Sequence, residues 1–397
     1  MSSAGFAALP RAAVAGLRGS AIREVSELAA TLPDDGRPPI PLWFGEAQAP
    51  AATYIAEAAR AALERAEVFY TPNLGLPALR EAIARELLAL GRPVTPERVG
   101  VTSSGVSAVM LACQMMVEPG DRVVMIAPSW PNLTQIPSLL GASVETVPLH
   151  LRDGLWSLDL DRLLAALRPG TRMVLINAPA NPTGWCIDAD AQRAILDHCR
   201  RLGIWIIADD VYERLYFAAD AAPSFLAIAD TQDRLISVNS FSKAWSMTGY
   251  RLGWIVAPPS LMPHLARVIE YNTSCAPAFV QQAGIAALDA GPAPVRAMVG
   301  RYRDLRDLAC DRLGAIDGIA APRAEGGMYC FFSVAGCTDS LDLARRLLVE
   351  ARVGLAPGIA FGPEGEGCLR LCFASEEARI AEACDRIADF MQAHPPR

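Results

Sequence analysis

One residue type is almost missing from this 397-residue chain: of 36 Lys+Arg, Lys243 is a lysine and the other 35 are arginines. A guanidinium stays protonated and is no nucleophile, whereas a desolvated lysine amine sheds its proton and forms a Schiff base with a carbonyl. A chain that uses arginine wherever only positive charge is needed keeps lysine where an amine is needed, although on composition alone a chance survivor reads the same way. Two other charged residues sit in apolar runs. Asp209 ends I-W-I-I-A-D, where a carboxylate without a cationic partner carries a desolvation cost of roughly several kcal/mol; Asp210 beside it reads as a solvent-facing or helix-capping acid. In C-L-R-L-C-F-A, strand alternation puts Cys368, Arg370 and Cys372 on one face and Leu369, Leu371 and Phe373 on the other. A planar fork there suits a carboxylate, unless it makes an ordinary surface ion pair.

The elements that must position these groups are legible as apolar runs. Residues 122–127, 171–177, 204–209, 235–240 and 252–257 are rich in Val and Ile, as strands covered on both faces are, and the helical patterns between them imply mostly parallel crossovers. This predicts an α/β domain with a wound central sheet, whose ligands bind beyond the carboxyl ends of the strands. That rim collects Trp130, residues 177–184, 209–212 and 240–243. From residue 101, V-T-S-S-G-V-S-A-V-M reads as strand, small polar turn and helix. Its amides either cradle a dianion or merely open a helix. Helices near 293–314, 341–352 and from 376, with strands in G-G-M-Y-C-F-F-S-V and L-R-L-C-F, predict a smaller α+β domain. The Pro-rich segment 38–46 reads as an extended connector. The expected division is an N-terminal helix and extended arm belonging to the small domain (1–45), a large domain (46–290) and a small C-terminal domain (291–397).

Composition narrows the class. A 52% hydrophobic chain with 20% charged residues has the makings of a sizeable core. A net charge of −7 without a basic tract argues against nucleic-acid binding. No apolar run reaches the roughly 18 residues of a membrane span, and Pro10 and Arg11 break any signal-peptide core. The ten cysteines are scattered without a C-x-x-C pair, and the histidines at 150, 198, 264 and 394 have no metal-ligand spacing; reduced thiols and no metal site are expected. A cytoplasmic enzyme fits these features.

The segment S-F-S-K-A-W-S-M-T-G-Y-R-L-G-W (240–254), with the turn at 104–106, N-A-P-A-N-P-T-G, D-D-V-Y and R-L-C-F in order, resembles the class I/II pyridoxal-phosphate-dependent aminotransferases of fold type I, similar to the aspartate aminotransferases. The resemblance runs nearly the whole chain. It implies pyridoxal 5′-phosphate as cofactor, with Lys243 as Schiff-base anchor and proton shuttle and Asp209 on the ring nitrogen. Asn181 and Tyr212 are implied at the ring 3-oxygen, Trp130 on the ring face, and Ser104, Gly105, Val106, Ser240 and Arg251 at the phosphate. It also implies Arg370 and Gly45 at the substrate α-carboxylate, with Trp130 and Asn181 beside it. Tyr70, in F-Y-T-P-N, matches a tyrosine that reaches the neighbouring subunit's phosphate, which implies a homodimer with shared sites. The implied reaction is ping-pong transamination between an L-α-amino acid and a 2-oxo acid through pyridoxamine phosphate.

Two positions depart from the aspartate-specific pattern. Val106 stands where relatives often carry a lysine for the distal carboxylate, and G-E-A-Q-A, with Gln48, replaces G-E-P-D-F. These shift the expected donor toward neutral, apolar or aromatic amino acids, unless Arg18 or Arg23 reads an acidic side chain. The alternative on the same scaffold is a lyase or decarboxylase. A regulatory protein with an aminotransferase-like sensor domain would need a basic helix-turn-helix in the first 40 residues, and none is present.

Overall fold

The computed structural model describes residues 10–17, 19–34, 36–152 and 154–394; Arg18 lies outside them. The expected strands form, and two more join them. The sheet has eight strands in the spatial order Val99–Thr102, Gly253–Val256, Leu235–Ser240, Trp205–Asp209, Thr171–Asn177, Arg122–Ala127, Ser143–Arg152 and Leu155–Leu158. Its five central strands, from Leu235–Ser240 to Ser143–Arg152, are parallel. Gly253–Val256 runs antiparallel to both its neighbours, and Leu155–Leu158 turns back on Ser143–Arg152. The mostly parallel reading therefore holds, with Gly253–Val256 and Leu155–Leu158 as the reversed strands.

The centre is parallel for the expected reason. Runs such as Met173, Val174, Leu175 and Ile176 are buried on both faces, which suits strands sandwiched between helices. The crossover Ala189–Leu202 carries its own stop signals: the Asp188 carboxylate accepts from the Ala191 amide at 2.7 Å, Asp190 opens the first turn, and Arg200 and Arg201 close the last before Gly203 at φ 69°. Register brings Asn177 opposite Asp209 and Asp209 opposite Val238, so the carboxyl ends of three strands form one rim.

A second sheet is antiparallel, in the order Ile319–Ala320, Tyr329–Val334, Cys368–Cys372, Ala356–Pro357. Here Phe331 sits opposite Arg370, and Arg370 opposite Ala356. The extended segment near residue 40 does more than connect: Ile40 and Pro41 pair in parallel with Val353 and Gly354. That pairing carries Trp43, Phe44 and Gly45 to the rim of the large sheet. No helix among the described residues is long and apolar enough to cross a membrane.

Candidate active site

One cavity of about 260 Å³ lies at the carboxyl ends of the parallel strands, where a wound sheet places its ligands. It is lined by eleven of the thirteen residues singled out from sequence: Gly45, Gly105, Val106, Trp130, Asn181, Asp209, Tyr212, Ser240, Lys243, Arg251 and Arg370. Ser104 and Tyr70 do not line it. The Ser104 hydroxyl caps the helix Gly105–Met116, accepting from the Ser107 amide at 3.0 Å. Tyr70 is 88% exposed on its own chain.

At one end, the helix Gly105–Met116 opens directly onto the cavity. Ser104 holds φ 149° and ψ 167°, a region that costs a non-glycine residue about 1–3 kcal/mol, and so aims the first turn inward. A Cβ on Gly105 would meet the Ser240 Cβ at 2.9 Å and Val211 at 3.3 Å, so only glycine admits this approach. Ser240 and Ser242 share a hydroxyl bond at 2.9 Å, and the exposed Arg251, left-handed at φ 55°, donates to the Thr248 carbonyl at 2.7 Å. Helix amides, hydroxyls and a guanidinium make this end a receptor for a compact polyanion.

The opposite end is built around Arg370, buried on the antiparallel sheet. Its Nη1 donates to Asn181 Oδ1 at 2.7 Å, and Nη2 donates to the Trp43 carbonyl. The guanidinium lies over the Tyr329 ring at 4.2 Å and near Phe361 at 4.8 Å. Its Nε is buried without a partner among the described residues. The surface ion pair left open from sequence is therefore replaced by a pre-held fork with a donor to spare, which calls for an anion.

Between the ends lie the ionisable groups. Lys243 Nζ, partly buried, donates to the Gly45 carbonyl at 2.5 Å. Burial draws this amine down from its ordinary 10.5 to about 8; Arg370 and Arg251 push the same way, while Cys372 and Glu46 oppose them. Asp209 is pushed up to about 7 by burial, against the Val211 amide and Lys243. A carboxylate in that state gains most from a cation brought against it. Its neighbour Asp210 corrects the sequence reading: it is buried and accepts from the Ser237 hydroxyl at 2.6 Å, turned away from solvent.

Sequence reasoning missed several lining residues. Tyr329 bonds its hydroxyl to that of Tyr212 at 2.5 Å, and burial holds both phenols above their usual range, Tyr329 at about 12. The available signal was the register of G-G-M-Y-C-F-F against the arginine strand, which local pattern does not show. Ile22 and Phe44 enter from the N-terminal arm, and Thr248 from beyond the expected rim, whereas Asn177 and Ser242 fall inside the rim ranges read from sequence. Arg23 lies outside the cavity, with its guanidinium 6.0 Å from the Phe44 ring.

Known proteins carry this architecture. Residues 42–387 match the family model for aminotransferase class I and II. An aspartate aminotransferase of Pyrococcus horikoshii is 32% identical over 380 residues, 95% of each chain. The crystal structure of an aspartate aminotransferase from Thermotoga maritima superposes with a TM-score of 0.89 at 30% identity, over 97% of this chain and 100% of that one. An aromatic aminotransferase from Pyrococcus horikoshii gives 0.86 at 28% identity, over 94% of this chain and 100% of that one. With the family matched across most of its length, and none of its relatives here a lyase or decarboxylase, the chain belongs to the class I and II aminotransferases and is an enzyme of transamination between amino acids and 2-oxo acids.

Proposed function

We propose that this chain binds pyridoxal 5′-phosphate in the cavity between Arg251 and Arg370 and uses Lys243 as its anchor. The observation that carries the reading is the amine itself: the chain's one lysine lies between a polyanion receptor and a buried arginine fork, its pKa drawn down to about 8 by burial. The residues fit the group. Gly105, Val106, Ser240 and Arg251 take the phosphate, with Ser104 fixing the turn; Asp209 holds a proton on the ring nitrogen; Asn181 and Tyr212 take the 3-oxygen; Trp130 covers one face. When bound, the cofactor supplies a carbonyl for the donor nitrogen and a ring that accepts the electron pair left as Cα loses its proton.

The chain's own groups do the rest. The Arg370 Nε and the Gly45 amide orient the donor's α-carboxylate, and Lys243 Nζ takes the Cα proton and returns it at the other end of the transfer. Tyr329 keeps the Tyr212 phenol aimed into the cavity. Tyr70 is 88% exposed and its neighbour Phe69 81%, adjacent aromatics fit for burial by a second copy, which supports a homodimer in which Tyr70 serves the neighbour's phosphate. Ten unpaired cysteines fit a cytoplasmic enzyme.

The donor is proposed to be neutral, with an apolar or aromatic side chain. Ile22, Phe44, Val106 and Val109 line the cavity, and its three lining cations among the described residues, Lys243, Arg251 and Arg370, already have partners in this scheme. The Glu46 carboxylate lies 3.4 Å from the Thr248 hydroxyl and repels an acidic side chain. An acidic donor is the rival, favoured by the aspartate aminotransferases among the relatives. A screen of the twenty amino acids against 2-oxoglutarate, pyruvate and oxaloacetate tests both. Preference for leucine-like or aromatic donors supports the proposal, and preference for aspartate or glutamate overturns it. Absence of a visible absorbance band after incubation with pyridoxal phosphate overturns the cofactor assignment.

A further inference from the structure

Behind the cavity, and outside its lining, sits a cluster of charges that the transamination scheme does not use. Arg92, 2% exposed, follows the helix Pro77–Ala89 and ion-pairs with Glu213, 3% exposed. Its second nitrogen donates to the Ala222 carbonyl at 2.9 Å, while the Ala222 amide returns to the Glu213 carbonyl at 2.8 Å. The other Glu213 oxygen accepts from Asn239 Nδ2 at 2.7 Å, and Asn239 Oδ1 accepts from the Ser240 amide at 2.7 Å. Asp210 lies in the same cluster on the Ser237 hydroxyl, and Arg214 faces it while paired with Glu86 at 2.7 Å.

Burying such ions costs about several kcal/mol each and stabilises a fold no better than packed apolar side chains would. What the cluster supplies is geometry. Three members border a cavity residue in the chain: Glu213 follows Tyr212, Asp210 follows Asp209, and Asn239 precedes Ser240.

We propose that Arg92, Glu213 and Asn239 form a buried positioning clamp that locks the loop carrying Asp209 and Tyr212 to the strand end carrying Ser240. The clamp sets how tightly, and in what electronic state, the cofactor is held, without touching it. The inference rests on the cofactor reading above. It fits the charge pattern: Arg92 is the cation shared by Asp210 and Glu213, and holds down two carboxyls that burial pushes above the ordinary carboxylate range. Neutralising Arg92 would let both carboxyls take up protons and release the loop.

The test compares wild type with Arg92→Gln, Arg92→Lys and Asn239→Ala, reading pyridoxal phosphate affinity and the pH midpoint of the bound cofactor's visible band, with thermal melting alongside. Asn239→Ala leaves the ion pair intact and cuts the link to Ser240, so it decides the matter if Arg92→Gln does not fold. The expected result is cofactor binding about tenfold weaker in Arg92→Gln and about threefold to tenfold weaker in Asn239→Ala. The band midpoint should move by about half a pH unit or more in both, with Arg92→Lys recovering most of the loss. Lowered melting temperatures with affinity within about twofold of wild type and an unmoved midpoint would show a purely structural cluster and overturn the clamp. A wild-type protein with no cofactor band overturns the cofactor reading and the clamp with it.

Discussion

The two arginines that face the cavity are held by opposite means. Arg370 is 2% exposed, its two Nη nitrogens committed to Asn181 and Trp43 and its face to two aromatic rings. Arg251 is exposed, fixed by a left-handed backbone and one bond to the Thr248 carbonyl. The difference fits the two tasks proposed for them. A carboxylate that arrives and leaves in every turnover needs a fork already oriented, because each unordered rotamer would cost binding energy on each cycle. A phosphate that stays needs charge and helix amides, and it orders an exposed side chain once. Lys243 lies between the two and senses both.

Removing the central amine tests whether the two ends can work without it. Lys243→Arg should keep the fold and part of the cofactor affinity while turnover drops about 10⁴-fold, the scale of a lost proton-transfer group; substantial transamination by this variant refutes the assignment. Next, Arg370→Leu should lower kcat/KM for amino donors about 10- to 100-fold, since the charge-assisted hydrogen bond from Nε to the donor carboxylate disappears. Its cofactor affinity should change less than about threefold. Arg251→Leu should do the reverse, weakening cofactor binding about 10- to 100-fold with little change in donor KM once cofactor is saturating. If the two variants produce the same phenotype, the division of labour is wrong.

Smaller effects sharpen the picture. Because the folded protein draws Lys243 down to about 8, its neutral, nucleophilic fraction grows as pH rises through that value. Cofactor uptake by the apoprotein should therefore climb about tenfold from pH 7 to 9 and then level. An ordinary lysine would keep climbing past pH 10. Since Arg370 is among the groups lowering the amine, Arg370→Leu should move the midpoint upward. Last, Val106→Lys should shift preference toward acidic donors by about threefold to fivefold, the worth of a half-exposed ion pair, read as the ratio of kcat/KM for glutamate to that for leucine.

Much of the fold was legible because burial on both faces leaves a continuous apolar run, as in 171–177 and 204–209. The edges were not. Gly253–Val256 has the same look as its parallel neighbours and yet runs antiparallel, since direction depends on where the connection returns and not on the strand's composition. Arginines show the same limit: Arg92, Arg98 and Arg214 are buried, although local sequence gives them the look of surface charge.

By itself the sequence determined which side chains are chemically able to act: one amine, a carboxylate at a strand end, a fork in an apolar strand and a glycine turn before a helix. These are properties of residue type and of neighbours within a few positions. The tertiary structure decided what they face. Tyr329 reaches Tyr212 from 117 residues away, Arg370 reaches Asn181 across 189, and Lys243 reaches Gly45 across 198. Contacts at such separations arise from packing two sheets and an N-terminal arm around one rim, and they leave no local periodicity to be read.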